Sequence, residues 1–110
     1  MERENITFVK RDGTLVACLS CEIDHHTARH LRQRIDGELF LQRPKLLVLD
    51  FSGVKFMDSS GIALILGRVE TAGEVGCAVN LRGLTPTLYK LVRLSGLERV
   101  KNLSITDEGK

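Results

Sequence analysis

The chain predicts a single α/β domain, with a mixed sheet and helices packed against it, on three observations. A β-hairpin signal lies near the start, apolar stripes at helical spacing follow, and a continuous apolar run sits between two of those stripes. At 110 residues the chain has room for one core and not for two. Its 43% hydrophobic and 27% charged residues are the composition of an ordinary globular protein. One domain is therefore expected over residues 1–110.

The elements follow in order. "ITFVKRDGTLVACLS" is two β-like runs split by Asp12-Gly13, a strong short hairpin signal. "EIDHHTARHLRQRIDGELFLQ" changes period: Ala28, Leu31, Ile35 and Leu39 form a helical stripe, Asp24 stands as its N-cap, and Pro44 ends the connection. "KLLVLDF" reads as a central strand buried on both faces. "IALILGRVETAG" is apolar nearly all round at first, so a largely buried helix is expected, with Gly73 and Gly76 bracketing a turn into the strand "CAVNL". "LTPTLYKLVRLSGL" carries a full set of helix signals, from Thr85 as N-cap and Pro86 at the first position to Gly96 after the end. A short strand is expected between Val100 and Ile105.

Composition excludes several functions. The formal net charge of +2 and five aromatics argue against nucleic acid. No apolar run reaches the roughly 18 residues that span a bilayer, and the charged start "MERENITFVK" lacks a signal-peptide core, so the expected location is the cytoplasm. Cys18 and Cys21 read C-x-x-C, but alternation puts Cys18 on a strand, whereas a redox pair sits at a helix N-terminus. His26 and His30 stand four apart without a further strong ligand, so no metal is expected. With neither a Walker loop nor G-x-G-x-x-G there is no expected cofactor, and any phosphorylating enzyme must bring its own ATP. The serines do not lie in G-x-S-x-G, and His25, His26 and His30 cluster upstream without an oxyanion-hole sequence, which argues against a hydrolase and for a protein that is not an enzyme.

The stretch that carries chemistry is Asp58-Ser59-Ser60-Gly61, where a strand feeds a helix at the carboxyl end of the sheet, the place of functional loops in open α/β sheets. Residue physics leaves two readings open. A serine before an apolar helix caps it; a serine at a helix N-terminus is also a favourable place for a phosphate, although Asp58 opposes that charge. Gly61 keeps the turn unobstructed and lets another backbone approach.

"EIDHHTA" at 22–28, "FMDSSGIALILGR" at 56–68 and "LSGLERV" at 94–100 together closely resemble the sporulation-type anti-sigma factor antagonists of the STAS domain family, over about Ile6 to Leu103. The resemblance implies a four-stranded, largely parallel core sheet with an added N-terminal strand, mixed as a whole and flanked by helices. It also implies partner switching. The unphosphorylated protein, a monomer when free, binds an anti-sigma factor that is itself an ATP-using serine kinase, and so frees a sigma factor. The kinase phosphorylates Ser59, a PP2C-type phosphatase reverses this, and Asp24, His25, Asp58, Ser59, Ser60 and Gly61 meet the partner. The alternative is an antagonist in a stress-response system. Two departures stand out: Cys21 occupies a position where the family commonly has Gly, and the short polar end "SITDEGK" implies that a final helix of the relatives is missing.

Overall fold

The computed structural model describes residues 5–106. Asp12 and Gly13 both take positive φ, 50° and 82°, the type I′ pattern whose twist matches that of the strands it joins. The turn sets β1 (Ile6–Arg11) antiparallel to β2 (Thr14–Leu19), with Ile6 opposite Leu19. Then follow α1 (His25–Gln42), β3 (Leu46–Asp50), α2 (Ser59–Glu74), β4 (Ala78–Arg82), α3 (Pro86–Leu94), a 3₁₀ turn over Leu97–Arg99, and β5 (Leu103–Ile105). The sheet runs β1-β2-β3-β4-β5, with β2 to β5 parallel and only β1 reversed. The four parallel strands and the added N-terminal strand are those expected. The expected loss of a final helix concerns residues from 107 onward, outside the described residues.

Parallel strands in sequential order, joined by right-handed crossovers, place every helix on one face of the sheet. The core agrees. Leu15, Ala17, Leu19, Leu47, Leu49, Val79 and Leu81 of the sheet share one apolar cluster with Leu31, Ile35 and Leu39 of α1, Leu64, Ile65 and Val69 of α2, and Leu88 and Val92 of α3. The opposite face presents Val16, Cys18 and Asn80, each partly exposed, while Val48 is shielded by its neighbours. The central strand is thus buried on both sides, as its unbroken apolar run predicts.

Local signals set the ends. Thr85 Oγ1 accepts the Leu88 N–H at 3.1 Å behind Pro86, and Gly96 takes φ 82° after α3. Arg43 closes α1 in the left-handed conformation, its N–H on the Leu39 carbonyl. Gly73 stays inside α2 rather than opening the turn, which begins after Glu74 and uses Gly76 at φ +73°. No described helix is long and apolar enough to cross a membrane.

One feature of the helix layer is electrostatic. Arg68 of α2 is only 4% exposed and meets Asp36 of α1 with Nε–Oδ1 2.8 Å. Burial lowers the guanidinium's pKa, and the Asp36 charge works against that shift. Removing the carboxylate alone strands a buried cation, whereas removing the cation leaves Asp36 a route to water, since its side chain is 26% exposed. Asp36→Ala is expected to cost about 3 kcal/mol, the low end for a broken buried pair, and Arg68→Met less than half of that. Urea midpoints at constant m-value measure both; equal losses would show that the pair is not acting as a buried ion pair.

Candidate functional site

Two loops at the carboxyl edge of the sheet, 20–24 ahead of α1 and 51–58 ahead of α2, are joined by backbone. Ile23 and Met57 form an isolated parallel bridge. The Ile23 N–H donates to the Phe56 carbonyl at 3.0 Å and the Asp58 N–H to the Ile23 carbonyl at 3.1 Å. Both side chains are buried. The next residue in each loop is an aspartate that caps a helix, so α1 and α2 start side by side. Asp24, which the resemblance implies meets the same partner as Ser59, is brought to the same edge by this bridge.

Asp24 Oδ1 accepts the N–H groups of His26 and Thr27, both at 2.9 Å, and Thr27 Oγ1 accepts the Asp24 N–H at 3.0 Å. This is a reciprocal capping box with threonine in the third helical position. The Thr27 N–H bond, more than any other contact, holds the Asp24 carboxyl below the usual carboxylate range. At α2 the Asp58 Oδ1 accepts the Ser60 N–H at 2.8 Å, and the Asp58 carbonyl takes the Gly61 N–H at 2.9 Å.

The serine-cap reading is therefore corrected: Asp58 is the N-cap, and Ser59 and Ser60 are the first two helical residues. A carboxylate is as good a cap as a hydroxyl, and it takes the role because the bridge to Ile23 fixes Asp58 one residue before the helix. Ser59 is exposed and Ser60 half-buried, and neither hydroxyl has a hydrogen-bond partner among the described residues. Gly61 is buried, and the group that approaches it is a side chain rather than a backbone: a Cβ there would collide with Cγ and Sδ of Met57. His25 is exposed at the start of α1.

The expected burial of α2 holds for one side only. Gly61, Leu64, Ile65, Arg68, Val69 and Ala72 are buried, but Ser59, Ala63, Leu66 and Glu70 form an exposed stripe. A helix lying on one face of a sheet keeps its outward side in water, however apolar its sequence. Leu66 is 42% exposed, and Phe56 in the adjoining loop is 52% exposed. Sequence reasoning passed over both; the apolar excess in "IALIL" was the available signal.

Behind the loop, Asp50 anchors its first residues. Its Oδ2 meets Arg82 Nε at 2.9 Å and its Oδ1 accepts the Ser52 N–H at 2.9 Å. Burial raises the Asp50 pKa, but the bonds from Ser52 and Arg82 outweigh it and leave the carboxyl below its ordinary value. Gly83, at φ +75°, lies where a Cβ would stand 2.8 Å from Asp50 Oδ1. Cys21 does not need a glycine's backbone: the positive-φ residues other than glycine are Asp12, Arg43 and Asn102 among those described. Its thiol is pushed up by burial, against a hydrogen bond with Thr27. Among the described residues no group of three or more His, Cys, Asp or Glu side chains is placed to hold a metal.

The Asp24 cap makes a pH prediction. Its folded-state pKa lies below the unfolded value of about 3.9, so its contribution is complete above that value and is lost as pH falls through it toward the folded pKa. Acid unfolding of wild type is expected to include this loss below about pH 4, and Asp24→Asn is expected to flatten that part of the stability profile. Urea midpoints between pH 2 and 6 read it; parallel profiles would show that the cap carries no differential protonation.

A STAS domain model matches residues 5–107 of this chain. The anti-sigma F factor antagonist of Paenibacillus polymyxa is 33% identical over 88 residues, 80% of this chain and 75% of that one. The anti-sigma-B factor antagonist of Bacillus subtilis is 23% identical over 105 residues, 96% of this chain and 94% of that one. The unphosphorylated structure of the anti-sigma factor antagonist SpoIIAA superposes with a TM-score of 0.70 at 26% identity, covering 94% of this chain and 89% of that one. The phosphorylated form of the Bacillus cell fate determinant SpoIIAA gives 0.69 at 29% identity, covering 94% and 92%. With its sheet order, its three helices on one face and this match over nearly its whole length, the chain belongs to the STAS domain family.

Proposed function

We propose that this chain is an anti-sigma factor antagonist that switches partners through phosphorylation of Ser59. The observation that carries the reading is the state of Ser59: exposed, first in α2, its hydroxyl unpartnered, beside a rigid bridge between two loops. Similarity to the F-type antagonist of Paenibacillus polymyxa supports the sporulation-type system. The B-type relative covers more of the chain at lower identity and supports the stress-response alternative, which differs in partner and not in mechanism.

In this reading the unphosphorylated chain binds an anti-sigma factor that is also a serine kinase, and the sigma factor is freed. Asp24, His25, Asp58, Ser59 and Ser60 meet the partner, Gly61 supports them through Met57, and exposed Phe56, Ala63 and Leu66 extend the contact as an apolar rim. Phosphorylation needs one group from this chain, the Ser59 Oγ, which attacks the γ-phosphorus of ATP held by the kinase as ADP leaves. A PP2C-type phosphatase restores the hydroxyl. The chain itself catalyses nothing and acts in the cytoplasm as a monomer when free.

The phosphate adds roughly −1.5 to −2 charges and three acceptor oxygens at pH 7. The start of α2 tolerates them, since its dipole favours an anion, although the Asp58 cap already takes the Ser60 and Gly61 N–H groups. Asp58 and the partner's footprint do not. The switch is therefore local. Peptide mapping after incubation with the kinase and ATP is expected to place the phosphate on Ser59; a phosphate on Ser60 instead defeats the assignment. Ser59→Ala is expected to bind the partner without being switched. Ser59→Asp should bind about 30- to 1000-fold more weakly, the equivalent of about 2–4 kcal/mol, with an unchanged circular dichroism spectrum. Wild-type affinity in the Asp variant would sink the mechanism.

A further inference from the structure

The outward face of α1 gathers basic side chains, two arginines and three histidines, that its own fold does not pair. His25, His26, Arg29, His30 and Arg32 are all exposed, and the first acid of the helix is Asp36. At 100° per residue, His25, His26, Arg29, His30 and Gln33 fall within an arc of about 140°, away from the buried Leu31, Ile35 and Leu39, and they line an open concavity of about 370 Å³. Among the described residues none of the five basic side chains has a carboxylate within ion-pair distance. Asp24 caps the helix and suits its dipole, but no acid follows in the first turn, and Arg29 and Arg32 stand beyond it with no acid before Asp36. Basic groups that line one concave face and meet no carboxylate in the fold are left to a partner.

The cluster is continuous with the Ser59 site. It begins at His25, directly after the capping Asp24, and the Ile23–Met57 bridge holds that point beside the start of α2. We propose that His25, His26, Arg29, His30 and Arg32 form a docking strip for an acidic, carboxylate-bearing segment of the anti-sigma kinase, an inference that rests on the partner-switching reading. Complementary charge of this kind acts mainly on encounter, raising the association rate in a salt-dependent way. It also gives phosphorylation a second effect. A phosphate on Ser59, at the start of the neighbouring helix, adds negative charge at the same end of the helix layer and so lowers the pull of the strip on acids. Nucleic acid fits less well, because the whole chain carries a formal net charge of only +2 and no aromatic residue stands between His25 and Ile35.

The test uses the full chain and the anti-sigma kinases of its own genome, with binding followed by surface plasmon resonance. The variant is the double charge reversal Arg29→Glu with His30→Glu, both exposed positions where Glu is a good helix former; Arg29→Gln with His30→Gln serves if the reversal does not fold. At about 50 mM salt the reversal is expected to weaken binding about 10- to 100-fold, chiefly in the association rate, and at about 500 mM salt by less than about threefold. The Gln pair should fall between. Unchanged association rates at low salt in a folded variant overturn the docking strip while leaving the partner-switching reading intact. A wild-type chain that binds none of the kinases overturns both. If wild type binds a 30-mer DNA or RNA in a way that the reversal abolishes, while kinase binding is indifferent to it, the strip belongs to nucleic acid and the proposal fails.

Discussion

The relation between the starts of α1 and α2 depends on the parallel bridge between Ile23 and Met57. Parallel strands bring their following loops to one edge of a sheet, but they leave each loop free to wander by several residues. Here two backbone hydrogen bonds lock the loops together one residue before each helix. Each such bond is worth only about 1 kcal/mol net, whereas burying Ile23 and Met57 contributes about 2–3 kcal/mol apiece. Apolar burial holds the loops together, and the hydrogen bonds decide the register. Gly61 belongs to the same device, because only a residue without a side chain lets Met57 lie over the first turn of α2. From that register come both aspartate caps, and from the Asp58 cap comes the direction in which Ser59 points.

This explains what was legible in the sequence. Asp12-Gly13, Thr85-Pro86 and the stripe Leu31, Ile35, Leu39 are local signals, and local physics is enough to read them. The choice among Asp58, Ser59 and Ser60 as the cap of α2 is not local. All three are good capping residues, and a slip of one position turns every side chain by about 100°, which would exchange the exposure of the two serines. A contact across more than thirty residues, from Ile23 to Met57, makes the choice. The exposed stripe of α2 was hidden for a related reason: the sequence is apolar on nearly all sides, and only the one-sided placement of the helices decides which apolar residues meet water. Arg68 shows the converse, a charged residue that the core accepts because Asp36 on the next helix faces it.

α1 divides its polar residues by task. Asp36 points its charge at a neighbour and fixes α1 against α2, while Arg29 and Arg32 have no carboxylate within ion-pair distance among the described residues. The contrast separates charges that hold the fold from charges that are free to meet something else. It runs along the helix, with the unpaired charges at the end nearest Ser59 and the paired one in the middle.

The proposed switch needs little from the core. Ser59 stands outside the apolar cluster, and its neighbours in the loop are held by Asp50, Met57 and the bridge rather than by the serine itself. In the proposed reading, phosphorylation changes charge and bulk at a point whose backbone is already determined, and the dipole of α2 tolerates the anion. On that proposal the energy to expel the partner is found at the interface, where a phosphate beside Asp58 must be desolvated or must clash. The fold's own margin is left untouched. For a domain whose total stability lies in the usual range of about 5–15 kcal/mol, that separation would allow the proposed change of several kcal/mol in binding without unfolding the protein.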